Sequence, residues 1–379
     1  MKALYFGLGF SDAAVTGSEV IRQRNLEFVR NCFGEENVVC YRHVLPKVIR
    51  PLRWFSLLFR DLAGEGLFTD RGLLRAVREN NVETIFIDGT VGTRFKRAFL
   101  RRHRAISFFH NVEYDYYRKE MENFLRNDRS ARRRIHQVQF ALTSRLVYIN
   151  ERNLCRYSDT VITLNERDSK RLKELYGRKA DLILPTSMRD RPGIPAAGEE
   201  CREEPYLLFV GSDFYGNTDG LFPFCEQCMP KIGAKLVVAG TGMEKYADRF
   251  DPGKIKFPGY VPDLGELYGN AAAVVLPIIS GSGMKTKTCE ALMYGKVIFG
   301  TRESFEGYAA QESEDCILCE DWDEFVSKIS TYLREGPEKY SGANRGLFLK
   351  YYENSAVEKL FAAYVSGNKR TTGRDRDDT

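Results

Sequence analysis

Apolar residues fall in short runs separated by longer amphipathic stretches, and that alternation occurs twice along the chain. Lys2 to Gly7 reads as a strand, Leu8 to Gly17 as a loop, and Ser18 to Cys32 has apolar positions at helical spacing. Val38 to Tyr41, Thr84 to Asp88, Ala105 to Phe109 and Thr160 to Leu164 read as further strands, and Arg71 to Asn80 as a helix. Runs bounded by Gly or Asn and joined by helical patterns predict a parallel, doubly wound sheet. From Arg189 to Pro205 the pattern dissolves into Pro, Gly, Glu and Arg, as a linker would. A second series then follows: Tyr206 to Val210, Lys235 to Ala239, Ile255 to Phe257, Ala273 to Pro277 and Val297 to Gly300. After Ser341 a helical pattern runs to about Val365, and the charged tail from Asn368 to Thr379 predicts disorder. The expectation is an α/β chain of two Rossmann-like domains facing each other across a cleft, with ligands at the C-terminal edges of the strands.

Length and composition agree with that outline. A chain of 379 residues is long for one core and comfortable as two domains. Apolar content of 43% and charged content of 29% are those of a soluble globular protein. No window reaches the ~18–20 unbroken apolar residues of a membrane helix; Ala271 to Ile279 is too short. Met1 to Gly7 starts a strand and has no cleavage site after it, so a cytoplasmic protein is predicted. The nine cysteines fit a reducing compartment. Cys225 and Cys228, and Cys316 and Cys319, form two CxxC pairs with the makings of a four-thiolate zinc site. Yet the first pair sits at the buried spacing of a helix and the second flanks a short buried strand. Core cysteines are the better reading, and no metal is expected.

The most informative segment runs from Leu276 to Gly295. An apolar strand ends in Gly281-Ser282-Gly283, Lys285 and Lys287 follow at alternate positions, and Glu290 lies on the helix beyond. Glycines let backbone amides approach an anion, and a helix start adds unpaired N–H groups. The lysines add positive charge suited to a diphosphate. Glu290 can accept hydrogen bonds from sugar hydroxyls but would repel phosphate. Phosphate at one end and hydroxyls at the other describe a nucleotide sugar.

Five motifs in order then resemble the retaining family 4 glycosyltransferases, which have the GT-B fold. They are Val210-Gly211; Gly240-Thr241-Gly242; Gly259-Tyr260-Val261-Pro262-Asp263; the Leu276–Gly295 segment; and, in the first half, His110-Asn111-Val112-Glu113 with Asp159 to Asp168. The resemblance covers about residues 1–365 and is most specific over 206–308. It implies an acceptor domain over 1–188, a linker over 189–204, a nucleotide-sugar domain over 205–342, a helix over about 343–365 returning to the first domain, and a disordered tail over 366–379. It also implies that Tyr260 and Val261 hold the base by backbone groups. Gly211, Ser212, Gly240, Gly242, Gly281, Ser282, Gly283, Lys285 and Lys287 would surround the diphosphate, and Glu290 would hold the ribose. His110 would sit near the transferred sugar, so His110, Lys287 and Glu290 are the candidate catalytic residues. The start Gly7-Leu8-Gly9-Phe10 lacks the third glycine of a dinucleotide fingerprint, and Gly9, Gly17 and Glu113 are candidates for the acceptor side. Glu113 can equally serve as a helix-start carboxylate.

The resemblance thus implies transfer of a sugar, with retention, from a nucleotide-diphosphate sugar to a saccharide, lipid-linked or protein-bound acceptor. It places such work in cell-surface polysaccharide or glycoconjugate synthesis, with UDP the commoner base and no cofactor or metal. Two departures stand out. Ser282 replaces the first of the two glutamates common in the family, and Ser212 to Asn217 carries no cation after the first donor-domain strand. A non-catalytic partner subunit and a sugar-nucleotide epimerase of the same fold stay open as alternatives.

Charge adds a possible partner. The net charge is +5, but residues 94–134 hold 13 Lys/Arg against 5 Asp/Glu. Val48 to Arg60 mixes aromatic residues and arginines at near-helical spacing, which suits peripheral contact with an anionic membrane. Packing of those apolar residues inside the first domain is the alternative. No recognition motif supports nucleic-acid binding.

Overall fold

The computed structural model describes residues 2–7, 17–42, 60–61, 68–89, 95–191, 206–338 and 340–367. The chain divides into two compact units, Met1–Leu184 with Glu358–Thr379, and Pro185–Val357. Gly9, most of the Val48–Arg60 stretch, the linker from residue 192 to 205 and the tail from residue 368 lie outside the described residues.

In the first unit, strands β1 (Lys2–Gly7), β2 (Val38–Arg42), β5 (Val82–Asp88), β6 (Arg104–Phe109), β7 (Thr160–Thr163) and β8 (Leu182–Ile183) form one parallel sheet. Two short strands, β3 (Arg60–Asp61) and β4 (Phe68–Thr69), pair with each other in parallel. The order is β2-β1-β5-β6-β7-β8, so the winding reverses between β1 and β5. Ala3 to Phe6 and Thr84 to Asp88 are buried along consecutive positions, as strands covered by helices on both faces must be. One face packs Leu4, Phe6, Ile85 and Ile87 against Leu73, Phe95 and Leu154. On the other, Phe361 from the last helix (Asn354–Gly367) packs with its ring tilted against Phe28, Phe86 and Phe108 at 6.0–6.2 Å between centroids.

The second unit repeats the design. Strands β9 (Tyr206–Val210), β10 (Lys235–Ala239), β11 (Ile255–Gly259), β12 (Ala273–Leu276), β13 (Ile298–Gly300) and β14 (Cys316–Leu318) are all parallel. Their order, β11-β10-β9-β12-β13-β14, reverses between β9 and β12. Helix Tyr215–Gln227 leaves β9 and lies against the start of the β12 loop at Gly220, where an added Cβ would stand 1.7 Å from the Pro277 carbonyl oxygen. Of the CxxC thiols, Cys225, Cys228 and Cys319 are buried and Cys316 is half-buried; burial pushes Cys225, Cys316 and Cys319 up to about 12 and Cys228 up to about 11.

Three parts of the architecture differ from the sequence-based expectation. The basic region continues into two helices that periodicity did not mark, Glu113–Asn127 and Arg133–Tyr157, joined by a short turn. Their outer faces carry exposed apolar and charged residues together, which blurs an amphipathic signal. The pattern after Ser341 is not one helix. It breaks into Gly342–Leu347, a π-turn over Phe348–Tyr352, and Asn354–Gly367, with Glu353 extended. The break is held by the backbone of Met188, which donates to Tyr352 O at 3.0 Å and accepts from Asn354 N at 2.9 Å. Residues 343–357 consequently belong to the second unit, and the return to the first begins at Glu358. Asn344 anchors the early part by donating to Lys296 O and Asp315 O.

Gly220→Ala is expected to destabilise the protein. The gain of about 1 kcal/mol in helix propensity is outweighed by overpacking of about 1–3 kcal/mol or more against backbone that cannot move aside. Gly233→Ala, where a Cβ meets nothing within 4 Å, is the control. Thermal unfolding of the two variants gives the comparison, and equal melting temperatures would refute the close-approach argument.

Candidate functional site

The reversal between β9 and β12 places four loops of the second unit at one sheet edge. Gly211 and Ser212 follow β9, Gly240 and Gly242 follow β10, Tyr260 and Val261 follow β11, and Gly281 to Lys285 follow β12. Crevices at such reversals are where open α/β sheets bind ligands. The loops are tied to each other by backbone bonds: Gly211 N–H donates to Ala239 O at 2.9 Å, and Gly240 N–H to Gly259 O at 2.8 Å. Gly240 has φ 152°, and a Cβ there would lie 2.1 Å from Gly211 O, so the approach admits only glycine.

Helix Thr286–Met293 starts at this edge, and its N-cap, Lys285, makes no side-chain cap. The helix thus presents its positive end at this edge without a cap from its own N-cap residue, while Tyr308 OH donates to Lys285 O at 2.7 Å. The two lysines separate in role. Lys285 Nζ turns back to Glu303 Oε1 at 2.7 Å and to Gly283 O at 3.0 Å. Lys287 Nζ donates to Asn217 Oδ1, stands 4.5 Å from the centre of the Phe209 ring, and lies 2.8 Å from the point where a Gly211 Cβ would be. Asn217 is itself fixed, donating to Ser212 O at 2.7 Å. Burial, with the neighbouring charge of Lys285, pushes the Lys287 pKa down to about 7. An anion delivered here would reverse that shift.

One turn along, Glu290 accepts a hydrogen bond from Tyr268 OH at 3.0 Å. Tyr268 stacks on Tyr294 at 4.4 Å and 8°, and Tyr294 OH accepts from Arg191 Nη1 at 3.1 Å. Arg191 also stands 3.5 Å from Asp263 Oδ1, in the loop that carries Tyr260 and Val261. Burial raises the Glu290 pKa, against the Tyr268 hydrogen bond and the charges of Arg191 and Lys287. Tyr260 is 66% exposed. The segment after β9, which lacks a cation in sequence, receives one in space: Lys245 Nζ pairs with Asp213, whose second oxygen accepts from Tyr246 OH at 2.9 Å.

The first unit has its own cluster where its strand order reverses. His110, just after β6, places Nε2 2.7 Å from Oδ1 of Asp88, the last residue of β5. Asp88 Oδ2 accepts from Tyr5 OH and from Asn25 Nδ2, the latter at 2.8 Å. Burial alone would raise the Asp88 pKa, but His110 and these donors bring it below the ordinary value. Beside it, Asn111 Oδ1 is buried without a hydrogen-bond partner among the described residues. Gly17 opens the helix that supplies Asn25. Glu113 opens helix Glu113–Asn127, and that helix start is capped from outside: Glu151 accepts from Glu113 N at 2.8 Å, Tyr114 N at 3.0 Å and Tyr176 OH at 2.7 Å.

Solved structures share this architecture from end to end. Sucrose-phosphate synthase from Thermosynechococcus elongatus superposes with TM-score 0.66 at 12% identity, covering 97% of this chain and 99% of that one. Anabaena Alr3699/HepE in complex with UDP and glucose gives 0.59 at 11%, covering 97% and 100%. The lipopolysaccharide outer core galactosyltransferase WaaB gives 0.59 at 13%, with the same coverage. The chain has the GT-B fold. Residues 204–335 also match the family model described as glycosyl transferases group 1, which covers most of the second GT-B unit. No curated protein matches the sequence significantly.

Several residues of these clusters were not singled out from sequence. Asp88 ended a predicted strand, and a carboxylate at a strand's C-terminal edge is a usable signal. Glu151, Asn217, Tyr268 and Arg191 are brought in from separate elements with no fixed spacing to the motifs. Glu151 is fully buried, and burial pushes its pKa up to about 8 in spite of three donors. A raised carboxyl pKa means the folded state holds its proton more tightly, so stability is full below the unfolded value and falls as pH rises toward 8. Glu151→Gln removes that titration. Urea unfolding from pH 5 to 8 is expected to show the variant gaining on wild type by up to about 1.4 kcal/mol per pH unit. Parallel pH dependences would refute a protonated Glu151.

Proposed function

We propose that this GT-B chain is a nucleotide-sugar-dependent glycosyltransferase. One observation carries the reading: at the β9/β12 reversal, the start of helix Thr286–Met293, the glycine edges and Lys287 lie together, and Glu290 stands a turn away. Cationic groups and amides suit a diphosphate, and a carboxylate fixed by Tyr268 suits ribose hydroxyls. The match of residues 204–335 to glycosyl transferases group 1 supports it, as does the bound UDP and glucose of the Anabaena protein.

The donor is proposed to be a UDP-sugar, probed against other bases below, and the acceptor a saccharide or a lipid-linked sugar of surface glycoconjugate synthesis. The bond from the anomeric carbon to the diphosphate breaks with its electron pair on the leaving oxygen, while the acceptor oxygen bonds to that carbon. With retention, the acceptor proton passes to the departing phosphate. Lys287 and the helix amides stabilise the charge that develops there, preorganised so that no reorganisation is needed. Lys285, held by Glu303, shapes the glycine loop and adds its field. No metal is required by this scheme. His110, its ring fixed by Asp88, is proposed to contact a sugar hydroxyl, and Glu113 and Gly17 to serve the acceptor.

Thermal unfolding with UDP, GDP, ADP and their sugar conjugates tests the reading. One diphosphate is expected to stabilise wild type by about 2.7 kcal/mol at a hundredfold excess over Kd. Lys287→Ala and Glu290→Ala are expected to lose most of that shift. Failure of every nucleotide to stabilise wild type would overturn the donor site and leave a non-catalytic partner subunit.

Protonation of Lys287 adds a second expectation. Free, its ammonium deprotonates near pH 7; a bound diphosphate holds the proton, so binding takes one up as pH rises. Kd for UDP measured by titration calorimetry is expected to rise about tenfold per unit between pH 7 and 9. In Lys287→Arg, which stays charged, the dependence is expected to flatten. A flat wild-type profile would exclude Lys287 as the titrating group.

A further inference from the structure

Of the eight large apolar side chains exposed among the described residues, four lie on the hairpin of helices Glu113–Asn127 and Arg133–Tyr157. Ile135 is 57% exposed, Val138 59% and Leu142 37%, and their i, i+3, i+7 spacing lines them along one face of the second helix. On the first helix Phe124 packs its ring against His136 and Phe140, 5.4 Å away in each case, and leaves 46% of its surface in solvent. Leaving this stripe in water costs free energy that nothing in the first unit's core recovers.

Charge is gathered at the same place. Arg126 and Arg129 precede the turn, Arg132, Arg133 and Arg134 open the second helix, and all are exposed. Arg134 lies one turn before Val138, and Arg145 one turn beyond Leu142, so cations bracket the apolar stripe. Over residues 118–145 eight Lys/Arg stand against three Asp/Glu. Two of the three acids are engaged locally: Asp128 with His136 at 2.8 Å and Glu122 with Arg118 at 3.7 Å. Long arginine stems can lie along an apolar layer while their heads reach phosphate groups.

We propose that this hairpin is a docking surface for an anionic lipid bilayer, inserting Ile135, Val138 and Leu142 at the interface while the turn arginines pair with acidic headgroups. A protein partner would need acidic groups matched to the turn. A bilayer of acidic lipids offers negative charge and an apolar layer together, without a specific shape, which is the combination this face displays. Attachment is at the surface, because no helix among the described residues is long and apolar enough to cross a membrane. The Val48–Arg60 stretch, mostly outside the described residues, is not needed for it. The inference rests on this face alone and stands or falls apart from the donor site.

Flotation of the full chain with vesicles tests it. Wild type is expected to float with phosphatidylcholine vesicles containing phosphatidylglycerol, to be released by raised salt, and to ignore pure phosphatidylcholine. Replacing three charges, Arg132→Gln with Arg133→Gln and Arg134→Gln, is expected to lower the partition coefficient about 100-fold, at roughly fivefold per charge. Ile135→Ser with Val138→Ser is expected to lower it at least ~10-fold, because apolar insertion is lost. These positions are exposed, so melting temperatures should hold; Ile135→Trp gives an independent reading, a blue-shifted emission on the anionic vesicles. Absence of wild-type flotation, or equal flotation with neutral vesicles, would overturn the proposal. So would a wild-type oligomer that Ile135→Ser with Val138→Ser dissociates in light scattering, which would assign the face to a second copy of the chain.

Discussion

The reversal of strand order between β9 and β12 is the constraint on which the second unit's chemistry depends. Strands on either side of it send their connections to opposite faces, so the β9 and β12 loops diverge and leave the sheet edge between them open. That gap must still be closed behind the loops, and Gly220 does so: without a side chain, its helix settles directly on the Pro277 carbonyl. Gly240 plays the same part on the other side, admitting Gly211 O where a Cβ would stand. The site is a consequence of these approaches, since each moves a strand-end amide or a helix start toward one region.

Within that frame, charge is partitioned unequally between two lysines of nearly adjacent sequence. Lys285 is compensated by Glu303 and by two carbonyls of its own loop, so its charge is largely settled before any ligand arrives. Lys287 has a ring face and an amide oxygen as its neighbours, which solvate an ammonium less well than water does. The cost of holding Lys287 charged is therefore available to be relieved by an anion, whereas relieving Lys285 would first mean breaking an ion pair. Glu290 stands in a comparable position: burial works against its ionised form, and the aromatic pair behind it provides one donor, Tyr268 OH, leaving acceptor capacity for hydroxyls.

Much of this was legible in the chain. The strand positions of both sheets follow from short apolar runs, because fully covered parallel strands require them, and the glycine–lysine–glutamate segment carries its spacing within one loop and one helix. What could not be read depends on elements that meet only in space. Asn217 reaches Lys287 across 70 positions and Tyr268 reaches Glu290 across 22, with no periodicity to link them. The helical break at Glu353 depends on a backbone segment near Met188 that is far away in sequence, beside a local cap in which Glu353 accepts from Ser355 N at 2.7 Å. The helices after His110 were obscured by arginines and exposed apolar residues sharing a face, a pattern that reads as a basic patch when the eye looks for a buried stripe.

Two buried carboxylates of the first unit show how partners, more than burial, set the state of an acid. Asp88 and Glu151 are both fully enclosed, and desolvation raises each of them. Each also accepts hydrogen bonds, so counting donors does not separate them. The difference lies in charge. Asp88 faces His110 at 2.7 Å, and the electrostatic influence of that ring, with the hydrogen bonds from Tyr5 and Asn25, reverses the effect of burial. Glu151 faces two backbone amides and a tyrosine hydroxyl, and has the carboxyl of Glu113 as a like-charged neighbour, so nothing repays its desolvation in full. The consequence is a division of labour along a few residues of chain. Asp88 holds an ionised anchor that fixes the ring of His110, and Glu151 caps the next helix with a group whose charge the structure resists.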